Sequence, residues 1–454
     1  MSARIILAIA IAGAAVAGLQ AQAGAQQAMP PQKVTVIRAG RIIDPETGAV
    51  ATNQEIVVQG ERIREIGSNV TIPAGADVID LSKLTVLPGF VDTHTHEALT
   101  YKEVPENNIY YYTYVTDPTP LRAIQAASNA MQLLAAGFTV VCDVGNNGLY
   151  ADTALRQAIE QGWIPGPTII PSGLIISTTG GQFTPSPEMY KFHDIVYPEY
   201  LEANSHDEIV KAVRENLLFG AKVIKICLDC KPWGYSVDDI RLFMSEAAKG
   251  GAKVNAHVQT RDGAQRAIDA GLHVISHGQQ LTPEQHAQMA QKGIYLASTD
   301  TPFTEYRGSR EGEQHAAAEL RDAWEKGVGI TFSTDMDYWN DRMKRPDGEW
   351  MNRGELTIAF LKTWKTAGIP NKDILRALTI TGYKAADVEK DQRGPLKAGN
   401  FADIVAVQGD PLADIDAVRN VQFVMKNGQV FKRNGVITID SLLHPGPVNG
   451  FRRR

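Results

Sequence analysis

The chain has 454 residues, 44% of them hydrophobic and 21% charged, which is the composition of an ordinary globular protein long enough for more than one domain. Its formal net charge is -6, so there is no basic footprint for nucleic acid, and the small acidic excess reads as solubility.

At the N-terminus, Arg4 precedes an apolar run over residues 5–19, and Ala21-Gln22-Ala23 and Ala23-Gly24-Ala25 offer small-x-small cleavage sites. Residues 1–25 therefore read as a secretory signal peptide, with a periplasmic or secreted mature protein and no stable membrane anchor after cleavage. The apolar run is too short for a comfortable span.

Residues 30–86 read as short strands. Residues 56–60 and 62–66 flank a turn at Gly60-Glu61, and a strand over 77–81 follows. Next comes Gly89-Phe90-Val91-Asp92-Thr93-His94-Thr95-His96. Two histidines one residue apart at the end of an apolar run share one face of a strand. Their imidazoles can converge on one cation. Alone the pattern is weak, because two surface histidines produce it as well.

The middle of the chain alternates between helix-like and strand-like runs. Leu121, Ile124, Ala127, Met131 and Leu134 fall at helical spacing, and Gly137 ends that helix. Strands follow over 138–144, which holds Cys142 as a buried residue, and over 167–172. Residues 178–200 form a long Pro- and aromatic-rich loop of the kind that shapes a pocket. Ser205 and Glu208 have capping-box spacing for the next helix.

Lys225 then lies inside a β-branched run. Cys227-x-x-Cys230 follows it and can close a small disulfide loop. No second Cys or His pair follows at structural-zinc spacing. Trp233 and Tyr235 lie just beyond.

His257 ends a strand over 253–258, and Asn255 alternates with it. His277 ends another run 20 residues later. A seventh strand covers 293–298, with Arg307 and Arg310 after it as candidate clamps for a substrate carboxylate. Asp335 closes the run from Gly329, and Asp337 shares its face. Residues 390–440 return to short strands, with turns at Gly409-Asp410-Pro411 and Asn427-Gly428. His273 reads as structural. His193, His206, His286 and His315 read as solvated.

In order, His94-x-His96, Lys225, His257, His277 and Asp335 resemble the amidohydrolase superfamily of metal-dependent hydrolases. Gly399-Asn400-Phe401-Ala402-Asp403 and Val424-Met425-Lys426-Asn427-Gly428 also look like that superfamily. The nearest-looking branch holds imidazolonepropionase-like proteins and binuclear dipeptidases and carboxypeptidases acting on Xaa-Pro or N-acyl amino acids.

The resemblance implies an α/β fold: a distorted TIM (β/α)8 barrel over 87–389, beside a discontinuous β-sandwich from 30–86 and 390–440. It implies two divalent cations, with zinc as the expected metal. His94, His96 and Asp335 would hold one cation and His257 and His277 the other. A carbamylated Lys225 would bridge them. It also implies attack by a bridging hydroxide on an amide or peptide C–N bond, with Asp335 as general acid/base.

The expected partner is a small-molecule amide, a dipeptide or an N-acyl amino acid, and a homo-oligomer is compatible with the sequence. Related dipeptidases carry a histidine where Gln182 follows Gly180-Gly181, so substrate contacts depart from that branch. Gln182, Trp233, Tyr235, Arg307 and Arg310 are the candidates for those contacts. The competing readings are an imidazolonepropionase-like cyclic amide hydrolase, a deaminase, a lactonase or phosphotriesterase, and a barrel that binds without turning over. Deaminases place a glutamate soon after the fifth-strand histidine, and Val258-Gln259-Thr260-Arg261 contains none.

Overall fold

The computed structural model describes residues 33–99, 117–182, 186–192, 199–299, 310–335, 345–349 and 351–438. The expected leader, residues 1–25, lies outside them. No helix among the described residues is long and apolar enough to cross a membrane.

Both chain ends build one eight-stranded sheet. Its strands are β1 (Val34–Ile43), β2 (Val50–Gln59), β3 (Arg62–Gly67) and β4 (Asp77–Pro88) from one end. From the other come β15 (Ile404–Val407), β16 (Val421–Lys426), β17 (Gln429–Arg433) and β18 (Val436–Ile437). The order is β18-β17-β16-β15-β4-β1-β2-β3, so the long β4 joins the two halves. The β2–β3 turn falls at Gly60-Glu61, as the sequence predicts. Asn427 and Gly428 take φ of 50° and 73° in the β16–β17 hairpin, which suits an Asn-Gly turn.

The far edge folds back on the middle of the sheet. Ile63 N donates to Asn400 O at 2.9 Å, and Gly399 N donates to Ile63 O at 2.8 Å. The rolled sheet encloses its own core of Ile37, Ile56, Ile79, Leu81, Phe423 and Met425. This is the sandwich expected from the strand-rich ends.

Between the two ends lie β5 (Phe90–Thr95), β6 (Phe138–Asp143), β7 (Thr168–Pro171), β8 (Ile175–Ser177), β9 (Tyr200–Glu202), β10 (Val223–Cys227), β11 (Lys253–Val258), β12 (Val274–His277), β13 (Tyr295–Ala297) and β14 (Gly329–Thr331). They pair in parallel as β5-β6-β7 and as β14-β13-β12-β11-β10-β8-β9. Two contacts complete the ring. Lys222 N donates to Pro171 O at 2.7 Å, and Thr93 N donates to Phe332 O at 3.1 Å. The fold is a (β/α)8 barrel, distorted where the third strand breaks at Gly173. That residue has φ 66°, and a Cβ there would stand 2.8 Å from Asn216 Oδ1.

β9 was not anticipated. It begins at Tyr200, the last residue of the aromatic loop, and pairs with β8 along Ile175–Ser177. The periodicity of a three-residue strand is too short to read.

The helix before β6, α1 (Thr119–Ala135), exists but buries a different face from the one its apolar spacing suggests. Ile124 is 70% exposed, and Leu121 is exposed too. Arg122, Ala126, Asn129, Ala130, Leu133 and Leu134 are inside. The polar members of that face have partners: Arg122 Nε donates to Ala98 O at 3.0 Å and Asn129 Nδ2 to Glu97 O at 2.8 Å. Small alanines let the helix come close, and two polar side chains satisfy backbone carbonyls of the turn after β5.

Two histidine expectations divide. His273 is structural: its Nε2 donates to Ala385 O at 3.0 Å. His286 was expected in solvent but is buried, with Nδ1 2.6 Å from Asp322 Oδ2. His286 lies on the helix Pro283–Lys292, which turns the ring toward Asp322 on the helix Arg310–Glu325. His206 and His315 are exposed, and His193 lies outside the described residues.

Candidate metal centre

At the carboxyl ends of the barrel strands, His94, His96, Lys225, His257, His277 and Asp335 line one cavity of about 210 Å³. That is where barrel enzymes place their chemistry. A larger cavity of about 590 Å³ opens at the opposite end, beside Val223, Lys253, Val274 and Arg393. It holds none of these six residues and lies where the barrel meets the rolled sheet.

Strand alternation explains most of the aim. Lys225 and Cys227 share one face of β10, and Asn255 and His257 share one face of β11. The strands are in register with Lys225 opposite Asn255 and Cys227 opposite His257. His277 and Asp335 break the pleat. They take φ of 71° and 52°. Left-handed conformations cost a non-glycine residue about 1–3 kcal/mol and concentrate at functional sites. Here they turn both side chains into the cavity. Asp335 N is held by His94 O at 2.8 Å.

Three histidines face one carboxylate. His94 Nε2 lies 3.2 Å and His96 Nε2 2.9 Å from Asp335 Oδ1. His277 Nδ1 lies 3.7 Å from Asp335 Oδ2. The His94 and His277 rings are 5.0 Å apart, and His257 and His277 are 4.3 Å apart. His94, His277 and Asp335 offer donor atoms all within 4.8 Å of one another.

The hydrogen bonds behind the rings set their tautomers. His96 Nδ1 lies 2.8 Å from Gly145 O, a pure acceptor, so it carries the proton. Ser276 Oγ donates to Asn255 Oδ1 at 2.5 Å and is then free to accept from His94 Nδ1 at 3.0 Å. Both Nε2 atoms are left as lone pairs facing the cavity, the form in which imidazole binds a metal.

Electrostatics agrees. Burial holds His94 down to about 3 and His257 down to about 4, and lowers His277 well below the usual range, so these rings are neutral. Asp335 presents its carboxylate to His94, His96 and His277. Lys225 is 3% exposed, and its Nζ meets no hydrogen-bond partner among the described residues. Burial pushes it down to about 7, leaving a large fraction as free amine near neutral pH. Neutral imidazoles, one carboxylate and one orphaned amine make a donor set that fits divalent cations.

The substrate candidates fare unevenly. Gln182 lines the cavity, with Nε2 3.5 Å from His257 Nδ1 and Oε1 accepting from Tyr200 OH at 2.7 Å. Tyr235 is instead a core residue. It is 2% exposed, edge-on to Phe243, and its hydroxyl donates to Ala203 O at 3.0 Å. Trp233 is 61% exposed and does not line the cavity. Arg307 and Asp337 lie outside the described residues. Arg310 begins the helix Arg310–Glu325, but its side chain is not among those described.

Sequence reading missed Ser276, Asn146 and the pair Arg122–Glu199. Arg122 is 1% exposed, bonds Glu199 Oε1 and reaches Asn146 O, tying three loops at the carboxyl end of the barrel strands together. Cys142 is buried and free, and Cys227 and Cys230 form a disulfide.

The model of the amidohydrolase family matches residues 85–431. Ochratoxinase from Aspergillus niger is 26% identical over 449 residues, covering 89% of this chain and 88% of that protein. Imidazolonepropionase from Alkaliphilus metalliredigens is 25% identical over 422 residues, covering 84% and 90%. The crystal structure of a Xaa-Pro dipeptidase with methionine bound in its active site aligns with a TM-score of 0.73 and 26% identity, over 88% of this chain and 100% of that one.

Proposed function

This chain belongs to the amidohydrolase family and is a hydrolase, and from that premise we propose that it cleaves the C–N bond of a small amide, such as a dipeptide or an N-acyl amino acid, at the cavity described above. On this reading His94, His96 and Asp335 hold one divalent cation, His257 and His277 hold a second, and Lys225 lies between them as a carbamate. Zinc suits imidazole and carboxylate donors. Bound cations at such a site supply a water acidic enough to react near neutral pH and polarise the scissile carbonyl.

The chain's own groups do the rest. Lys225 Nζ, as free amine, would add to carbon dioxide and lose one of its two protons, which turns a group with no anionic oxygen into a carbamate that accepts. Asp335 takes a proton from the attacking water and returns it to the leaving nitrogen, one carboxylate serving as base and then acid. Ser276 and Gly145 O keep Nε2 of His94 and His96 deprotonated and aimed. Gln182 places an amide at the edge of the cavity, where it can meet the substrate's polar end.

The observation that carries this reading is the buried, partnerless Nζ of Lys225 among four histidines and an aspartate. An amine left there without a partner would be a net cost, whereas a carbamate gains cation partners. The amide class is supported by the likeness to a Xaa-Pro dipeptidase.

The test is a screen of Xaa-Pro dipeptides, N-acyl amino acids, lactones and phosphotriesters with metal-replete protein. We expect amide turnover. Hydrolysis of esters or phosphotriesters with every amide untouched would overturn the class. Export to a periplasm or beyond is proposed from residues 1–25 alone. Mass analysis of the mature chain should find those residues removed, and a mature chain starting at Met1 would refute export by this route.

A further inference from the structure

The two cysteines after Lys225 sit against a residue of the catalytic set. Cys227 and His257 are register partners on β10 and β11, and Cys227 lines the catalytic cavity. The sulfurs of Cys227 and Cys230 and a ring nitrogen of His257 all lie within 4.8 Å of one another. In the disulfide those sulfurs are poor ligands, because the thiolate is the form that binds metals. We propose that reduction of the Cys227–Cys230 disulfide opens a second metal site, formed by the two freed thiolates and His257, for a thiophilic divalent cation.

The loop that presents the sulfurs is anchored independently of them. Asp229, between the cysteines, accepts from Gln259 N at 2.9 Å, Thr260 N at 2.7 Å and Thr260 Oγ1 at 2.7 Å. These bonds fix the loop to the segment just after His257. Gly263 admits the carboxylate, since a Cβ there would stand 2.4 Å from Asp229 Oδ2. Leu228 N also donates to His257 O at 3.2 Å. Breaking the S–S bond therefore frees two thiols without freeing the loop. Cys230 is partly exposed, so a reductant can reach it, while Cys227 is buried against Ile175 and Tyr200.

The chemistry balances with an external thiol or phosphine reductant. Two electrons and two protons pass to the cysteines and the reductant is oxidised. Cation binding then displaces both thiol protons. Bonds of about 2.3 Å to sulfur and about 2.0 Å to nitrogen place tetrahedral donors roughly 3.5 Å apart, which side-chain rotation within this cluster reaches. Thiolate donors favour zinc, cadmium or cobalt over magnesium or calcium. Filling the new site takes His257 away from the catalytic set, and this one consequence rests on the function proposed above.

The test uses the full chain, stripped of metal, in its oxidised form and after reduction with a phosphine that is then removed. Each form is titrated with Co²⁺ and read for the near-ultraviolet thiolate-to-cobalt charge-transfer band. The band should appear only after reduction, with the final intensity of one thiolate-bound cobalt per chain whatever cobalt the remaining sites take up, and be absent from the oxidised protein. It should vanish in Cys227→Ser/Cys230→Ser, which keeps Cys142 as an internal control. Should that variant fail to fold, reduced wild-type protein alkylated with iodoacetamide serves instead. No band in reduced wild-type protein, or a band that survives alkylation, overturns the proposal. The readout does not depend on hydrolysis, so a failure to cleave amides would refute the proposed function and leave this result standing.

Discussion

Ser276 Oγ lies 3.0 Å from Nδ1 of His94. Because the serine proton goes to Asn255 Oδ1, this contact fixes the histidine's proton on Nδ1 and its lone pair on Nε2. Groups that orient a ligating histidine are typically worth about 10–100-fold in metal affinity. Ser276→Ala should therefore weaken the metal by about that factor with little change in fold. Competition with a chromophoric chelator measures it. Unchanged affinity would show that the relay does not orient His94.

Asp335→Asn removes the group assigned to proton transfer, and general acid–base catalysis typically contributes about 10²–10⁴-fold. Turnover should fall at least that far while the circular-dichroism spectrum stays native. Lys225→Ala should lose both metal and activity, and short carboxylic acids should restore part of each. Full metal content in Lys225→Ala would remove the basis for the carbamate.

Arg122 and Glu199 are both fully buried and bonded to each other. Taking away one partner of such a pair costs about 3–5 kcal/mol, because the other charge is left unpaired in the interior. Arg122→Met should lower the thermal midpoint markedly. It should also slow turnover, since Arg122 holds the carbonyl of Asn146, which lines the proposed catalytic cavity. Arg122→Met/Glu199→Leu should recover much of the lost stability. A single variant as stable as the wild type would mean that water already reaches the pair.

Gly263→Ala tests the anchor of the Cys227–Cys230 loop. The added methyl would displace the Asp229 carboxylate from Gln259 and Thr260. Overpacking of this kind costs about 1–3 kcal/mol. Calorimetry should show that loss, and amide exchange at residues 259 and 260 should rise. Unaltered exchange there would mean that Asp229 does not hold the loop.

Much of the centre was legible because it obeys short-range rules. His94 and His96 lie two apart on a strand, His257 ends an apolar run, and both hairpin turns carry their glycine or asparagine. Less legible were features set by distant chain. Ser276 looks like filler until the barrel brings it to His94, 182 residues away in sequence. Nothing in the neighbouring sequence marks Arg122, and only a buried carboxylate 77 residues on explains its place inside. His277 and Asp335 were named for their positions at strand ends. Their left-handed backbone, which makes the aim possible, was not legible, because Asp and His adopt it more often than most residues but still only uncommonly. Tyr235 misled because an aromatic beside a catalytic strand is as much at home in the core.

The proposed chemistry requires this cavity to hold two cations through Lys225. Metal analysis of the oxidised holoprotein, run beside Lys225→Ala, measures that directly. Two divalent ions per wild-type chain and a large loss in the variant are expected. A wild-type protein that hydrolyses amides with no stoichiometric metal, or a variant that keeps both ions, would contradict it.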